Sequence, residues 1–199
     1  MGTNELRKRG IWQDDSGEKA GVAEKKFYEV FLREFEGTDF EIVSKPKEFN
    51  NIYSDVKLSK EVLTNIYTPK GETWRHGVIP DYAIVNSKTS KTLYVEVKRQ
   101  DGWVEGKLRN AGRGNAHERS CKFFTPGLLK ILRERGKLGN DVLPFWVVFQ
   151  GDIARDPKRV REVTCWYDEY SAHFFMWSNL SDEKSLLSHF NNKLKHLFT

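Results

Sequence analysis

The sequence predicts an α/β domain, a central mixed β-sheet flanked by α-helices. Three observations predict it: an amphipathic stretch near the start, a hairpin of alternating residues followed by an unbroken apolar run in the middle, and a second amphipathic stretch at the end. A chain of 199 residues suits one domain with a proper core, so residues 1–199 are read as a single unit. With 38% hydrophobic and 31% charged residues, the composition is that of an ordinary globular protein. No apolar run approaches the roughly 20 residues that span a bilayer, and Met1 to Gly10 lacks the apolar core of a secretory signal. A cytoplasmic protein with no membrane partner is the expectation. Two distant cysteines, Cys121 and Cys165, give neither a disulfide framework nor a zinc site, and both are read as reduced, partly buried thiols.

In chain order, residues 1–20 are polar and read as an arm or a loosely packed start. From Val22 to Phe35, Ala23, Phe27, Val30, Phe31 and Phe35 recur at helical spacing, and Gly37 closes that helix. Phe40 to Lys70 mixes short helical and extended signals. Asp81 to Val85 and Thr92 to Lys98 read as strands joined by the turn-rich Asn86 to Ser90. In the second strand Leu93, Val95 and Val97 face one way while Tyr94, Glu96 and Lys98 face the other. Gln100 to Asn115 carries four glycines and reads as a loop, followed by a helix over Gly127 to Arg135. Leu143 to Phe149 is a central strand, and Val163 to Tyr167 and His173 to Trp177 are two more. Ser181 caps a final helix bearing Leu186, Phe190, Leu194 and Leu197.

The chemistry concentrates in the hairpin. Pro80-Asp81, 14 intervening residues and Glu96-Val97-Lys98 fit the pattern PD…(D/E)xK. Phosphodiester hydrolysis needs charge neutralised at phosphorus and a nucleophile made from water. Mg²⁺ takes oxygen ligands, usually one or two carboxylates plus substrate oxygens, which Asp81 and Glu96 could supply. Lys98 could hold or deprotonate the attacking water, and the carbonyl of Val97 is a natural extra ligand. The same Glu-x-Lys on a polar strand face is also what an ordinary solvated strand carries.

The net charge of +5 is mild, but its distribution is uneven. Lys98 to Lys122 holds seven basic residues against three acids, a patch suited to a polyanion. Within it, Gly112-Arg113-Gly114-Asn115-Ala116-His117-Glu118-Arg119-Ser120 has the chemistry to read bases. Arginine pairs bidentately with guanine and asparagine with adenine, and Gly112 and Gly114 allow close backbone approach. A helix start with a solvated charge cluster, Asn115 as its N-cap, is the alternative, and both can hold at once.

The GNAHERS segment resembles the GNAxERS motif of EcoRI-like type II restriction endonucleases of the PD-(D/E)xK superfamily. Glu96 to Lys107, Ala111 to Lys122, Phe123 to Leu129, Leu143 to Phe149 and Gly151 to Val163 resemble its MunI-like branch. The likeness runs over most of residues 80–177 and is weak in the first 70. It implies a PD-(D/E)xK fold, a homodimer and Mg²⁺-dependent double-strand cleavage at a palindrome centred on AATT. Asp81, Glu96 and Lys98 fall on the catalytic positions, with Asp81, Glu96 and Val97 as metal ligands. Asn115, Ala116 and Arg119 fall where the inner AATT is read, and Arg113 on the position assigned to the outer C·G pair. MunI-like enzymes cut CAATTG before the first A, leaving four-base 5′ overhangs, and a cognate DNA methyltransferase is the implied host partner. Departures cluster in the N-terminal third and at Leu108-Arg109-Asn110.

Other residues carry two readings each. His117 is read as a phosphate or structural contact rather than a general base. Trp103 is read as packing beneath the loop rather than stacking on DNA, and Phe145, Trp146 and Phe149 as core. Arg155 to Arg161 suits a phosphate contact or a solvated turn equally. Glu24 could approach a metal, though no sequence feature singles it out. Two other functions share the fold: a structure-selective repair or recombination nuclease, and a non-catalytic DNA-binding regulator. The base-reading groups Arg113, Asn115 and Arg119 argue against the first, and the intact Asp81, Glu96 and Lys98 against the second.

Overall fold

A computed structural model describes residues 20–54, 56–67, 76–101 and 116–199. The first helix, α1, covers residues 20–34 and buries Ala23, Phe27, Val30 and Phe31, the stripe its spacing predicts. Gly37, at φ +71°, turns the chain out of it into β1 (Phe40–Ser44). The mixed stretch then resolves into a 3₁₀ turn at Lys47–Phe49 and a short helix α2 (Lys60–Asn65), whose N-cap Ser59 accepts from the amide of Val62.

The hairpin forms as β2 (Tyr82–Asn86) and β3 (Thr92–Arg99), each one residue displaced or extended from the expected bounds. Asn86 builds its turn by accepting from the amides of Lys88 and Thr89. A short helix α3 (Ala116–Ser120), a 3₁₀ turn (Cys121–Phe124) and α4 (Pro126–Gly136) follow. Then come β4 (Phe145–Gln150), α5 (Pro157–Tyr167), β5 (Phe174–Trp177) and α6 (Glu183–His189), the last continuing as a π turn over Phe190–Leu194.

The five strands lie in the order β1-β2-β3-β4-β5. The first three are antiparallel, and β4 and β5 add in parallel, so the sheet is mixed as expected. Helices cover both faces. Leu93, Val95, Val97, Trp146 and Val148 pack with Phe27 and Phe31 of α1 and Leu186 and Phe190 of the last helix. Tyr94, Phe145, Val147 and Phe149 pack with Leu128 and Leu132 of α4 and Val163 and Tyr167 of α5. Every residue of β4 is buried, as an apolar run paired on both edges requires.

Two expectations are corrected. Val163 to Tyr167 is the end of α5, not a strand: Asp156 caps the helix by accepting from the amide of Lys158, Pro157 opens it, and Arg159, Val163 and Tyr167 are buried at intervals of four. The final helix is capped by Asp182, whose carboxylate accepts from the amide of Ser185, one residue beyond Ser181. The cysteines are free thiols, Cys121 half-buried and Cys165 exposed. Among the described residues no helix is long and apolar enough to cross a membrane.

Candidate active site

The hairpin register explains the spacing of the two carboxylates. Tyr82 pairs with Val95, so Asp81 stands opposite Glu96 one step beyond the last paired residues. Pro80 has no amide to extend the ladder, and here the strands exchange side-chain bonds instead. The amide of Val97 donates to Asp81 Oδ2 at 2.9 Å, and that of Asp81 donates to Glu96 Oε2 at 3.3 Å. Each carboxylate therefore has one oxygen tied to the opposite strand's backbone. Both side chains are buried, Asp81 5% and Glu96 4% exposed, which excludes the solvated-strand alternative.

The other two oxygens meet ammonium groups. Lys98 Nζ lies 2.6 Å from Glu96 Oε1 and 3.5 Å from Asp81 Oδ2, and it donates to the carbonyl of Val97 at 3.4 Å. Lys45, just past the end of β1, places Nζ 2.7 Å from Asp81 Oδ1 and 3.7 Å from Glu24 Oε2. Lys122, in the 3₁₀ turn after α3, reaches to 3.8 Å from Glu96 Oε1. Three carboxylates and three ammoniums thus balance in charge around one point.

Burial pushes the Glu96 carboxyl up; Lys98 opposes that shift and the Asp81 charge reinforces it. Burial alone would lower the Lys98 ammonium, but Glu96 and Asp81 outweigh it and hold it above the usual lysine value. Lys45 is raised in the same way, its burial outweighed by Asp81 and Glu24. Glu24 is pushed up by burial and then by the Asp81 charge.

Lys98 Nζ shows that the site fits a cation. It sits among two carboxylates and a backbone carbonyl, the hard oxygen set that a small divalent ion takes. Among the described residues no group of three or more His, Cys, Asp or Glu side chains has metal-binding geometry. Asp81, Glu96 and the Val97 carbonyl would therefore hold an ion with water or substrate oxygens completing its shell.

The structure also places part of the basic segment. Arg113, Gly114 and Asn115, with Trp103, lie outside the described residues, and Ala116 is the first residue of α3. Glu118 and Arg119 are exposed, whereas His117 is fully buried. The His117 ring stacks on Trp166 of α5, with centroids 5.6 Å apart and planes 4° from parallel. Its Nδ1 lies 3.2 Å from Gln100 Oε1 and its Nε2 3.6 Å from Glu162. That makes it a structural contact of the segment and takes it off the solvent-facing reading surface. Arg155 to Arg161 is neither a loose turn nor uniformly exposed, since Arg159 is buried and paired with Glu162.

Sequence reasoning gathered Asp81, Glu96, Val97 and Lys98 correctly as neighbours. It missed Lys45 and Lys122 and left Glu24 unassigned. Only strand and helix packing brings these three to the carboxylates, although Lys122 lay within the basic window already noted.

A mixed five-stranded sheet that brings Asp81, Glu96 and Lys98 together at the ends of adjacent strands has the arrangement that the PD…(D/E)xK pattern predicts. Comparison with known proteins narrows the class. The family model described as type II restriction enzyme MunI matches residues 1–199. The type II restriction enzyme MunI of Mycoplasma sp is 53% identical over 198 residues, 98% of either chain. The crystal structure of MunI restriction endonuclease in complex with cognate DNA superposes with a TM-score of 0.81 at 52% identity, covering 94% of this chain and 97% of that one. The chain belongs to the MunI family of type II restriction enzymes. The likeness includes the first 70 residues, where the motifs alone had shown little.

Proposed function

We propose that the enzyme is a homodimer that makes Mg²⁺-dependent double-strand cuts at C^AATTG, leaving four-base 5′ overhangs. The whole chain acts as one restriction endonuclease domain, in the cytoplasm, beside a cognate DNA methyltransferase. The observation that carries the reading is the convergence of Asp81, Glu96 and the Val97 carbonyl around one ammonium, Lys98. The family relationship and the DNA held by the structural relative support the substrate. Two-fold symmetry in the protein suits a palindrome, one half-site and one strand to each subunit.

A divalent ion held by Asp81, Glu96 and the Val97 carbonyl would supply Lewis-acid charge at the scissile phosphate and acidify water. Asp81 and Glu96 are kept in place for it by the amides of Val97 and Asp81. Lys98 donates to the attacking water and offsets the negative charge that builds on the phosphate oxygens. Arg113, Asn115, Ala116 and Arg119 read the site, with Gly114 allowing close backbone approach and His117 holding the segment from behind. Arg113 takes the outer C·G pair through a bidentate fork to guanine.

Plasmids carrying CAATTG, GAATTC or neither, digested with and without Mg²⁺, test this directly. Cutting at CAATTG alone, and only with the ion, is expected. Cutting at GAATTC would overturn the outer base pair. Cleavage of junctions or flaps without sequence preference would replace the reading with a structure-selective nuclease, and tight binding without cleavage with a regulator.

A further inference from the structure

Lys45 stands apart from the lysines that motif reasoning finds. Its amide donates to the carbonyl of Asp81 at 3.0 Å, which fixes its Cα against the catalytic strand pair. Its φ of +48° turns the chain away from β1 at that point, just ahead of Pro46. The backbone is therefore anchored, and only the side chain is left to move. That side chain is 55% exposed, against 20% for Lys98, yet its ammonium sits 2.7 Å from Asp81 Oδ1.

The two oxygens of Asp81 are not equivalent. Oδ2 accepts from the Val97 amide, a bond built into the β2–β3 pair, whereas Oδ1 has no backbone partner among the described residues and is met by Lys45. Oδ1 is the oxygen most easily given to a metal ion, and in this structure an ammonium caps it.

We propose that Lys45 is a tethered counter-ion of the active site: it caps Asp81 Oδ1 and yields that oxygen to an incoming divalent cation. This rests on the metal-site reading above. The physical case is competition. A charge-assisted bond at 2.7 Å must be broken before the ion can use Oδ1, and the ammonium repels the ion while it remains. Release is easy because the freed ammonium is already half in water. Lys98, more deeply enclosed and donating to three oxygens of the site, lacks that freedom. Glu24, 3.7 Å from the same ammonium, offers it a resting partner after release. Lys45 is thus a positioning residue that sets how strongly the empty-handed enzyme takes metal.

The test is Mn²⁺ binding to the full-length, DNA-free protein, followed through the electron paramagnetic resonance signal of the unbound ion. Lys45→Met is expected to bind Mn²⁺ roughly tenfold more tightly than wild type, the factor that corresponds to about 1.4 kcal/mol. Lys45→Arg, which can still cap the oxygen, should stay near wild type. Lys122→Met removes an equal charge 3.8 Å from Glu96 and should change the affinity much less. Unchanged or weaker binding by Lys45→Met overturns the proposal, and so does an equal gain in Lys122→Met, which would show a diffuse charge effect. Asp81→Asn and Glu96→Gln separate this from the metal-site reading: if either binds Mn²⁺ like wild type, that reading fails first. Circular dichroism on each variant confirms that the sheet is intact.

Discussion

At the scale of single residues, the reciprocal bonds between Asp81 and the Glu96–Val97 pair decide what each carboxylate can do. A buried carboxylate without partners would protonate rather than stay charged. Here the Val97 amide, Lys98 and Lys45 hold two carboxylates facing each other across a hairpin. The arrangement separates roles: the backbone-bonded oxygens orient the pair, and Asp81 Oδ1, which faces the half-exposed Lys45, is open to exchange. Truncating Glu96 therefore removes half of the donor pair without emptying the core. Glu96→Ala is expected to lower the cleavage rate by more than about a thousandfold, the upper scale for loss of one charge-stabilising group in an active site. Its circular dichroism spectrum should match wild type. A supercoiled-plasmid nicking assay measures the loss, and near-normal cleavage in that variant would take Glu96 out of the site.

At the scale of elements, the segment proposed to read DNA and the strand that carries Glu96 and Lys98 are joined by a buried ring. His117 of α3 touches Gln100, two residues beyond Lys98 on the way out of β3, and stacks on Trp166 of α5. Ser120 closes α3 from within by donating its hydroxyl to the carbonyl of His117 at 2.6 Å. So short a helix has little stability of its own, and these contacts help to hold it. His117→Ala should raise amide hydrogen exchange across Ala116–Ser120 and lower kcat/KM on cognate DNA by roughly tenfold, while shifting Tm by only a few degrees. Unchanged exchange in that segment would show that α3 is held elsewhere. The same scale shows what the sequence could disclose. Alternation at Leu93, Val95 and Val97 and the helical stripe at Phe27 and Phe31 are local signals, and both stand in the structure. Asp81 and Glu96 were legible because one hairpin register links them. The helix at Pro157–Tyr167 escapes the sequence reading because Val163-Thr164 is β-branched, while the decisive signal, Asp156 capping ahead of Pro157, lies seven residues upstream. Lys45 and Glu24 come from other elements altogether, and nothing in their neighbours' identities announces the contact.

At the scale of the whole molecule, the sheet is stitched together on its parallel side by a histidine. His173 precedes β5 and its Nδ1 lies 2.9 Å from the carbonyl of Phe145 at the start of β4, so the ring ties the edge strand to the buried one. Burial lowers its pKa to about 4, more than the bond to Phe145 raises it. His189 is lowered as well, chiefly by burial, and its ring stacks on Trp146 of β4. Between pH of about 6.5 and 4 the unfolded chain binds a proton that folded His173 refuses. Its contribution is therefore complete above the unfolded value and is lost as pH falls towards 4, with His189 acting in the same direction. By pH 5 the His173 part of that loss amounts to about 2 kcal/mol. His173→Gln can still donate to the Phe145 carbonyl but cannot titrate. Urea unfolding at pH 7 and pH 5 should show a large drop in midpoint for wild type and a clearly smaller one for the variant. The remaining drop in the variant belongs to His189, whose pKa is lowered in the same direction. An equal drop in the two proteins would mean that His173 is protonated alike in the folded and unfolded chains, and that the β4–β5 contact does not sense acid.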